Sequence, residues 1–230
     1  MTTSTTQRLD LTDNATFVAA LHQAINRHAM LKHPYYTAWS QGRLTLPQLR
    51  EYAKQYYHQV VAFPRYVSGV HANCEDLSVR QMLLQNLSEE EQGDDNHPEL
   101  WRRFCDSLGV SRAELAEAEP TARTRQSVGI FLDITRNGHF LEGLAGLFAY
   151  ESQIPEVAKS KREGLRTFFG ISDTRAVSFF TVHEHADLWH RQVEEDALLR
   201  NSHTADERTK VILAAERAAL ALWQFLDGFL

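Results

Sequence analysis

Cysteine is almost absent from this sequence: Cys74 and Cys105 are the only two in 230 residues. They lack CxxC spacing, which excludes a disulfide framework and a thiolate zinc site, and they read as reduced, interior thiols. No run of about 18 apolar residues occurs, so no membrane span is expected. The polar opening, Met1 to Arg8, has no apolar core of a signal peptide, and a cytoplasmic location is expected. Lys and Arg are scattered rather than clustered, and the net charge is −6. Nucleic acid is therefore excluded as a partner, because phosphate binding needs a basic patch. Internal repeats, low-complexity tracts and Gly/Ser linkers are also missing. Residues 1–230 read as a single domain, with 1–12 as a flexible lead.

What is present is helical periodicity, and strand-like alternation is scarce. Phe17, Ala20, Leu21 and Ile25 share one helical face, with Asp13 or Asn14 as N-cap. Thr45, Pro47 and Gln48 form a capping box with proline in the first turn. The helix they open runs through Tyr52, Tyr56, Tyr57, Val60 and Phe63, bending at Pro64 before Tyr66, Val67 and Val70. Further helices are expected over 78–91, after the capping box of Ser111 and Glu114, and after the turn at Pro120. Others are expected over 141–151 with a kink at Pro155, over 174–201 and over 206–229. Asn137-Gly138 and Gly170 end helices. The expected fold is an all-α bundle of seven or more helices.

Within it, one segment concentrates metal-binding chemistry: His183, Asp187 and His190. At about 100° per residue, Asp187 lies about 40° from His183 and His190 about 20° on the other side. Two imidazoles and a carboxylate on one face form a ligand set for iron, manganese or zinc. His185 points away from that face. Glu90, in the run Glu89 to Glu91, would share a face with His97 seven residues on. Gly93, Asn96 and Pro98 lie where that helix could break. Glu151 sits among Leu144, Leu147, Phe148 and Ile154, where a charge needs a partner or a metal ion. Together these give three carboxylates and three histidines, the chemistry of a dinuclear site in a helical bundle. The paired Glu-x-x-His pattern of ferritin-like bundles is absent.

The order Glu90, His97, Glu151, His183, Asp187, His190 follows Glu-x6-His, Glu, His-x3-Asp-x2-His. In this pattern the chain resembles the haem-oxygenase-like (TenA/PqqC-like) dimetal oxidases, and within them the p-aminobenzoate synthases related to the Chlamydia protein associating with death domains. The likeness runs from about residue 20 to 230. It includes His28 to His33, Tyr52 to Tyr57, Ala62 to Pro64, Asn96 to Trp101, Tyr150 to Pro155 and Phe225 to Leu230. The resemblance implies a homodimer with two metal ions, Fe/Fe or Mn/Fe, which activates O2 with an external reductant. It implies that p-aminobenzoate for folate is built from one of the protein's own tyrosines, with a lysine as amino donor. The consumed tyrosine falls on Tyr36, beside Tyr35. Tyr52 and Tyr150 match tyrosines near the metal ions, and Lys161 matches the donor.

The residues alone read otherwise in places. Lys161 fits an exposed helix lysine, and Tyr56, Tyr57 and Tyr66 fit core packing, although tyrosines along one helix can also carry a hole. Tyr150, next to Glu151, faces another side of its helix. Two further functions remain in play: a multiple-turnover dimetal oxygenase acting on a fatty acid, amino acid or small aromatic through an open apolar cavity, and a metal-binding interaction module without catalysis.

Overall fold

The computed structural model describes residues 9–229, apart from the side chains of 185, 186 and 188. The expected direction of His185, and the flexible lead as far as residue 8, fall outside what is described.

Eleven α-helices are present among the described residues, with no strand. They are α1 (Asn14–Asn26), α2 (Pro34–Ser40), α3 (Leu46–Asn73), α4 (Leu77–Glu91), α5 (His97–Ser107) and α6 (Arg112–Glu117), followed by α7 (Ala122–Asn137), α8 (Phe140–Glu151), α9 (Ile154–Phe169), α10 (Ser178–Asn201) and α11 (Ala205–Leu226). Short 3-10 turns cover Met30–Lys32 and Asp227–Phe229. None of the helices is long and apolar enough to cross a membrane.

Local chemistry accounts for most of the boundaries. Asp13 caps α1 by accepting from the Thr16 amide. Thr45 with Gln48 and Ser111 with Glu114 form the two expected capping boxes. Thr204 with Glu207 forms a third, at the start of α11. Helix α3 continues through Pro64, which lies inside it, so the Val60 carbonyl loses its helical partner. Gly170 ends α9 with a left-handed φ of 67°. Pro155 departs from expectation. It sits in the first turn of α9 and opens a new helix there instead of kinking the one before.

Helix α8 organises the interior. It is apolar around its circumference and buried from Gly143 to Glu151, the pattern of a helix enclosed on all sides. It packs against α3, α7, α10 and α11. Leu144, Leu147 and Phe148 are fully buried, each contributing about 1.5–3 kcal/mol relative to exposure. Packing α8 inside the bundle carries its last residue, Glu151, into the core. Cys74 and Cys105 are both free and buried.

Candidate metal centre

Four helices deliver the six residues. Glu90 stands near the end of α4, His97 opens α5, Glu151 ends α8, and His183, Asp187 and His190 line one face of α10. Helix α4 does not run on to His97. It stops at Glu91, Gly93 turns the chain with a φ of 77°, and the Asn96 side chain caps α5 by accepting from the Glu99 amide. The break folds His97 back so that its Nδ1 lies 2.8 Å from Glu90 Oε1. A loop, not a shared helical face, therefore joins these two.

The six form two buried triads, Glu90 with His97 and His183, and Glu151 with Asp187 and His190, each with ligand atoms within 4.8 Å of one another. In the first, the His97 and His183 rings are 4.3 Å apart. His183 Nδ1 donates to the Phe179 carbonyl at 2.7 Å, which fixes the tautomer and leaves Nε2 free to bind a cation. In the second, His190 Nδ1 lies 3.1 Å from Glu151 Oε1 and 3.5 Å from Asp187 Oδ1. Its other nitrogen lies 3.1 Å from Glu89 Oε2, an outer carboxylate placed to orient a metal-binding imidazole. Asn86 donates to Glu151 Oε1 at 2.9 Å.

Electrostatics at this cluster favour an added cation. Burial pushes Glu90 up to about 8 and Asp187 up to about 6. Burial also drives His97 down to about 4. His190 rises to about 11, because its bonds to Asp187 and Glu151 outweigh the burial that opposes its charge. Without a metal, that imidazolium is the one cation between the Glu151 and Asp187 carboxylates among the described residues. Glu151 Oε2, Asp187 Oδ2 and His97 Nδ1 are buried with no hydrogen-bond partner. His97 Nδ1 is close to Glu90 but not aligned to donate to it, as two ligands aimed at a common point would be. Buried polar atoms are seldom left unpaired, and two divalent ions would satisfy these. The donor set fits a metal pair.

Beside the triads lies a cavity of about 20 Å³, bounded by Glu90, Glu151, His183 and Asp187 and, on its other walls, by Tyr56 and Tyr150. The Tyr56 and Tyr150 hydroxyls share a 2.6 Å hydrogen bond. Tyr150 thus reaches the same cavity as Glu151, although the two leave α8 on different sides. Tyr36, Tyr52 and Lys161 do not line it. They stand one ring behind: Tyr52 stacks on Tyr56 with centroids 5.4 Å apart, and its hydroxyl is within hydrogen-bonding reach of Tyr36.

Lys161 is 1% exposed, contrary to the exposed position that the residues alone suggested. Its Nζ has no hydrogen-bond partner. It lies 3.4 Å from the Tyr52 ring centroid and 5.4 Å from that of Tyr36. Burial holds its pKa well below the usual lysine range. Gly164, one turn along α9, makes room for Trp39, whose ring a Cβ would meet at 2.5 Å. Position 161 follows Val157 and Ala158 and precedes Leu165 on the buried stripe of α9, a signal that the helical period carries.

Sequence reasoning missed four contributors, among them Asn86, which donates to Glu151. Tyr56 packs in the core as expected but also walls the cavity. Glu89, exposed near the end of α4, pairs with His190. Glu194 is buried on the metal-facing stripe of α10. Burial, reinforced by the Glu151 carboxylate beside it, holds Glu194 well above the usual carboxylate range. Of the tyrosines read as packing, Tyr66 does pack, stacking on Phe131 and donating to Gln59.

Comparison with known proteins agrees with this geometry. The model of a family described as iron-containing redox enzymes matches residues 50–223. A 4-aminobenzoate synthase of Nitrosomonas europaea is 41% identical over 222 residues, covering 93% of this chain and 90% of that protein. One from Chlamydia muridarum is 42% identical over 214 residues, with 93% and 90% covered. A crystal structure from Shewanella denitrificans, described as having a heme oxygenase-like fold, superposes with a TM-score of 0.79 at 15% identity, covering 94% of this chain and 91% of that one. The expected haem-oxygenase-like bundle is thus the observed fold.

Proposed function

The chain belongs to the iron-containing redox enzyme family, and on that premise we propose that it is a dimetal oxidase that makes 4-aminobenzoate (p-aminobenzoate) from its own Tyr36, with Lys161 as the amino donor. Two 4-aminobenzoate synthases are 41% and 42% identical to it over alignments that cover 93% of this chain. The observation that carries the reading is the Lys161 amine, buried without a partner against the rings of Tyr52 and Tyr36. A buried, unpaired amine costs stability, and its position suits a nitrogen that must react with an adjacent ring.

In this reading Glu90, His97 and His183 hold one ion, and Glu151, Asp187 and His190 hold the other. A bound pair, Fe/Fe or Mn/Fe, would supply the reduction of O2 with electrons from an external reductant. The protein's own residues do the rest. Burial lowers the pKa of the Lys161 amine and so favours its neutral, nucleophilic form. The Trp39 ring, 5.1 Å from Nζ, and the Tyr35 ring, 5.5 Å away, help to wall it from water. Tyr56 and Tyr52 bridge the space between the metal cavity and Tyr36, a row of phenols suited to carrying an oxidising equivalent. The cavity also weighs against a multiple-turnover oxygenase, since about 20 Å³ holds little more than one water, whereas small-molecule pockets run to about 300–1,000 Å³.

Growth of a bacterial strain unable to make p-aminobenzoate tests the proposal. The wild-type protein should restore growth without added p-aminobenzoate, and Glu151→Ala and Tyr36→Phe should not. Growth with Glu151→Ala would contradict the metal-dependent oxidase. Growth with Tyr36→Phe would move the ring source to another tyrosine or to a diffusible substrate.

A further inference from the structure

Glu194 has no role in the six-residue pattern, yet it is among the most enclosed charged side chains of the protein. It is 2% exposed, and neither carboxylate oxygen has a hydrogen-bond partner. No Lys or Arg pairs with it among the described residues. What faces it is more negative charge: its carboxyl group lies within hydrogen-bonding reach of Glu151 and close to Asp187. Two ionised carboxylates side by side repel one another, so the contact needs either a shared proton or a cation between them.

Its position on α10 is not accidental to the site. At about 100° per residue, Glu194 lies about 20° from His183, about 20° from Asp187 on the other side, and about 40° from His190. The four residues therefore share one stripe of α10, on which Glu194 meets Glu151 at the end of α8. The two triads are also unequal. The first has two imidazoles and one carboxylate, and the second has two carboxylates and one imidazole. Counting Glu194 with Glu90, Glu151 and Asp187, four carboxylates balance the four positive charges of two divalent ions, with the imidazoles neutral. Charge balance matters most where water is excluded.

We propose that Glu194 is a further metal ligand, a third carboxylate for the ion held by Glu151, Asp187 and His190. This rests on the reading that the triads bind metal. It makes that position oxygen-rich and the Glu90 position nitrogen-rich. Oxygen-rich sites suit manganese, whereas imidazoles suit iron, so Glu194 biases the two positions towards different ions.

The test is an anaerobic Mn(II) titration of the purified, metal-free protein, following the free-ion EPR signal, for wild type, Glu194→Gln, Glu194→Leu and Glu195→Gln. Thermal unfolding of each metal-free form is measured in parallel. The wild-type protein should take up two equivalents. Glu194→Gln and Glu194→Leu should weaken one equivalent by about 10- to 100-fold, the loss typical when a group supporting a metal site is removed, and leave the other unchanged. Glu195→Gln, altering a partly exposed residue paired with His22, should bind as wild type does. Metal-free Glu194→Leu should melt higher than metal-free wild type, because a buried carboxylate without a cation is removed. Two full-affinity equivalents in both Glu194 variants would overturn the proposal while leaving the triads intact. Absence of Mn(II) uptake by the wild type would overturn the triad reading and this inference together. A lower melting point for both metal-free Glu194 variants, with unchanged Mn(II) affinity, would mark a structural role and overturn it as well.

Discussion

Lys161 holds its amine 3.4 Å from the centre of the Tyr52 ring, with no hydrogen-bond partner and 1% exposure. Few residues in the protein are so far from their ordinary chemistry, and the placement has a thermodynamic signature. Burial lowers the Lys161 pKa in the folded state, while the unfolded chain keeps the ordinary value of about 10.4. Between the two, the unfolded state binds more protons, so stability rises with pH through that window. The penalty is fully present below the folded pKa and vanishes above the unfolded one. Lys161→Met should therefore be more stable than wild type at neutral pH, and its advantage should shrink as pH approaches 10.4. Thermal melts of both proteins across that range check this, and parallel curves would contradict a lowered Lys161 pKa.

Where the rings that lead from Lys161 reach the metal cavity, the Tyr56 and Tyr150 hydroxyls share a 2.6 Å hydrogen bond. Tyr56→Phe leaves the Tyr150 hydroxyl buried and unpaired. Urea unfolding should show a loss of about 1–3 kcal/mol, the cost of a buried polar group left unsatisfied. In a double-mutant cycle, Tyr150→Phe should cost much less in the Tyr56→Phe background than in wild type. Metal uptake should be unchanged in Tyr56→Phe, since neither hydroxyl belongs to a triad.

Gly164 tests how the Lys161 environment is built. An alanine Cβ there would meet the Trp39 ring at 2.5 Å. That ring is anchored by its own Nε1, which donates to the Ser160 carbonyl at 2.9 Å. Gly164→Ala should cost about 1–3 kcal/mol, as overpacked cores do. It should also lower 4-aminobenzoate yield at full metal loading, because Trp39 helps to wall the amine. Metal content by elemental analysis separates this from loss of the centre.

How much of this was legible depended on whether the information lay within one helix. His183, Asp187 and His190 emerge from periodicity alone, and an acid amid Leu144, Leu147 and Phe148 had to be buried and compensated. Glu90 and His97 were legible only as a spacing, because their approach depends on the five-residue turn between α4 and α5. Glu194 lies on the legible stripe, yet an acidic run such as Glu194 to Asp196 reads as solvated, and only packing against α8 shows otherwise. Lys161 was misread for the same reason, since residue type outweighed its place among Val157, Ala158 and Leu165. Short α2 and α6 lack the length that makes periodicity visible. Pro155 stands close after Glu151, where a helix kink and a new helix start look alike in sequence.

The triads should respond to substitution independently. His97→Ala removes a donor from the Glu90 triad, and His190→Ala removes one from the Glu151 triad. Each variant should retain one tightly bound Mn(II) equivalent of the two, measured by anaerobic titration with EPR detection. Loss of both equivalents in His97→Ala would mean a single cooperative site.

The most direct measurement uses protein made with ring-labelled tyrosine, loaded with iron and manganese without oxygen, then exposed to O2 and a reductant. Mass spectrometry follows both the small-molecule product and the peptide containing Tyr36. Labelled 4-aminobenzoate should appear at no more than one equivalent per chain, with matching loss of the Tyr36 side chain and none from Tyr36→Phe. Several equivalents per chain, or equal product from Tyr36→Phe, would contradict a tyrosine consumed by its own enzyme.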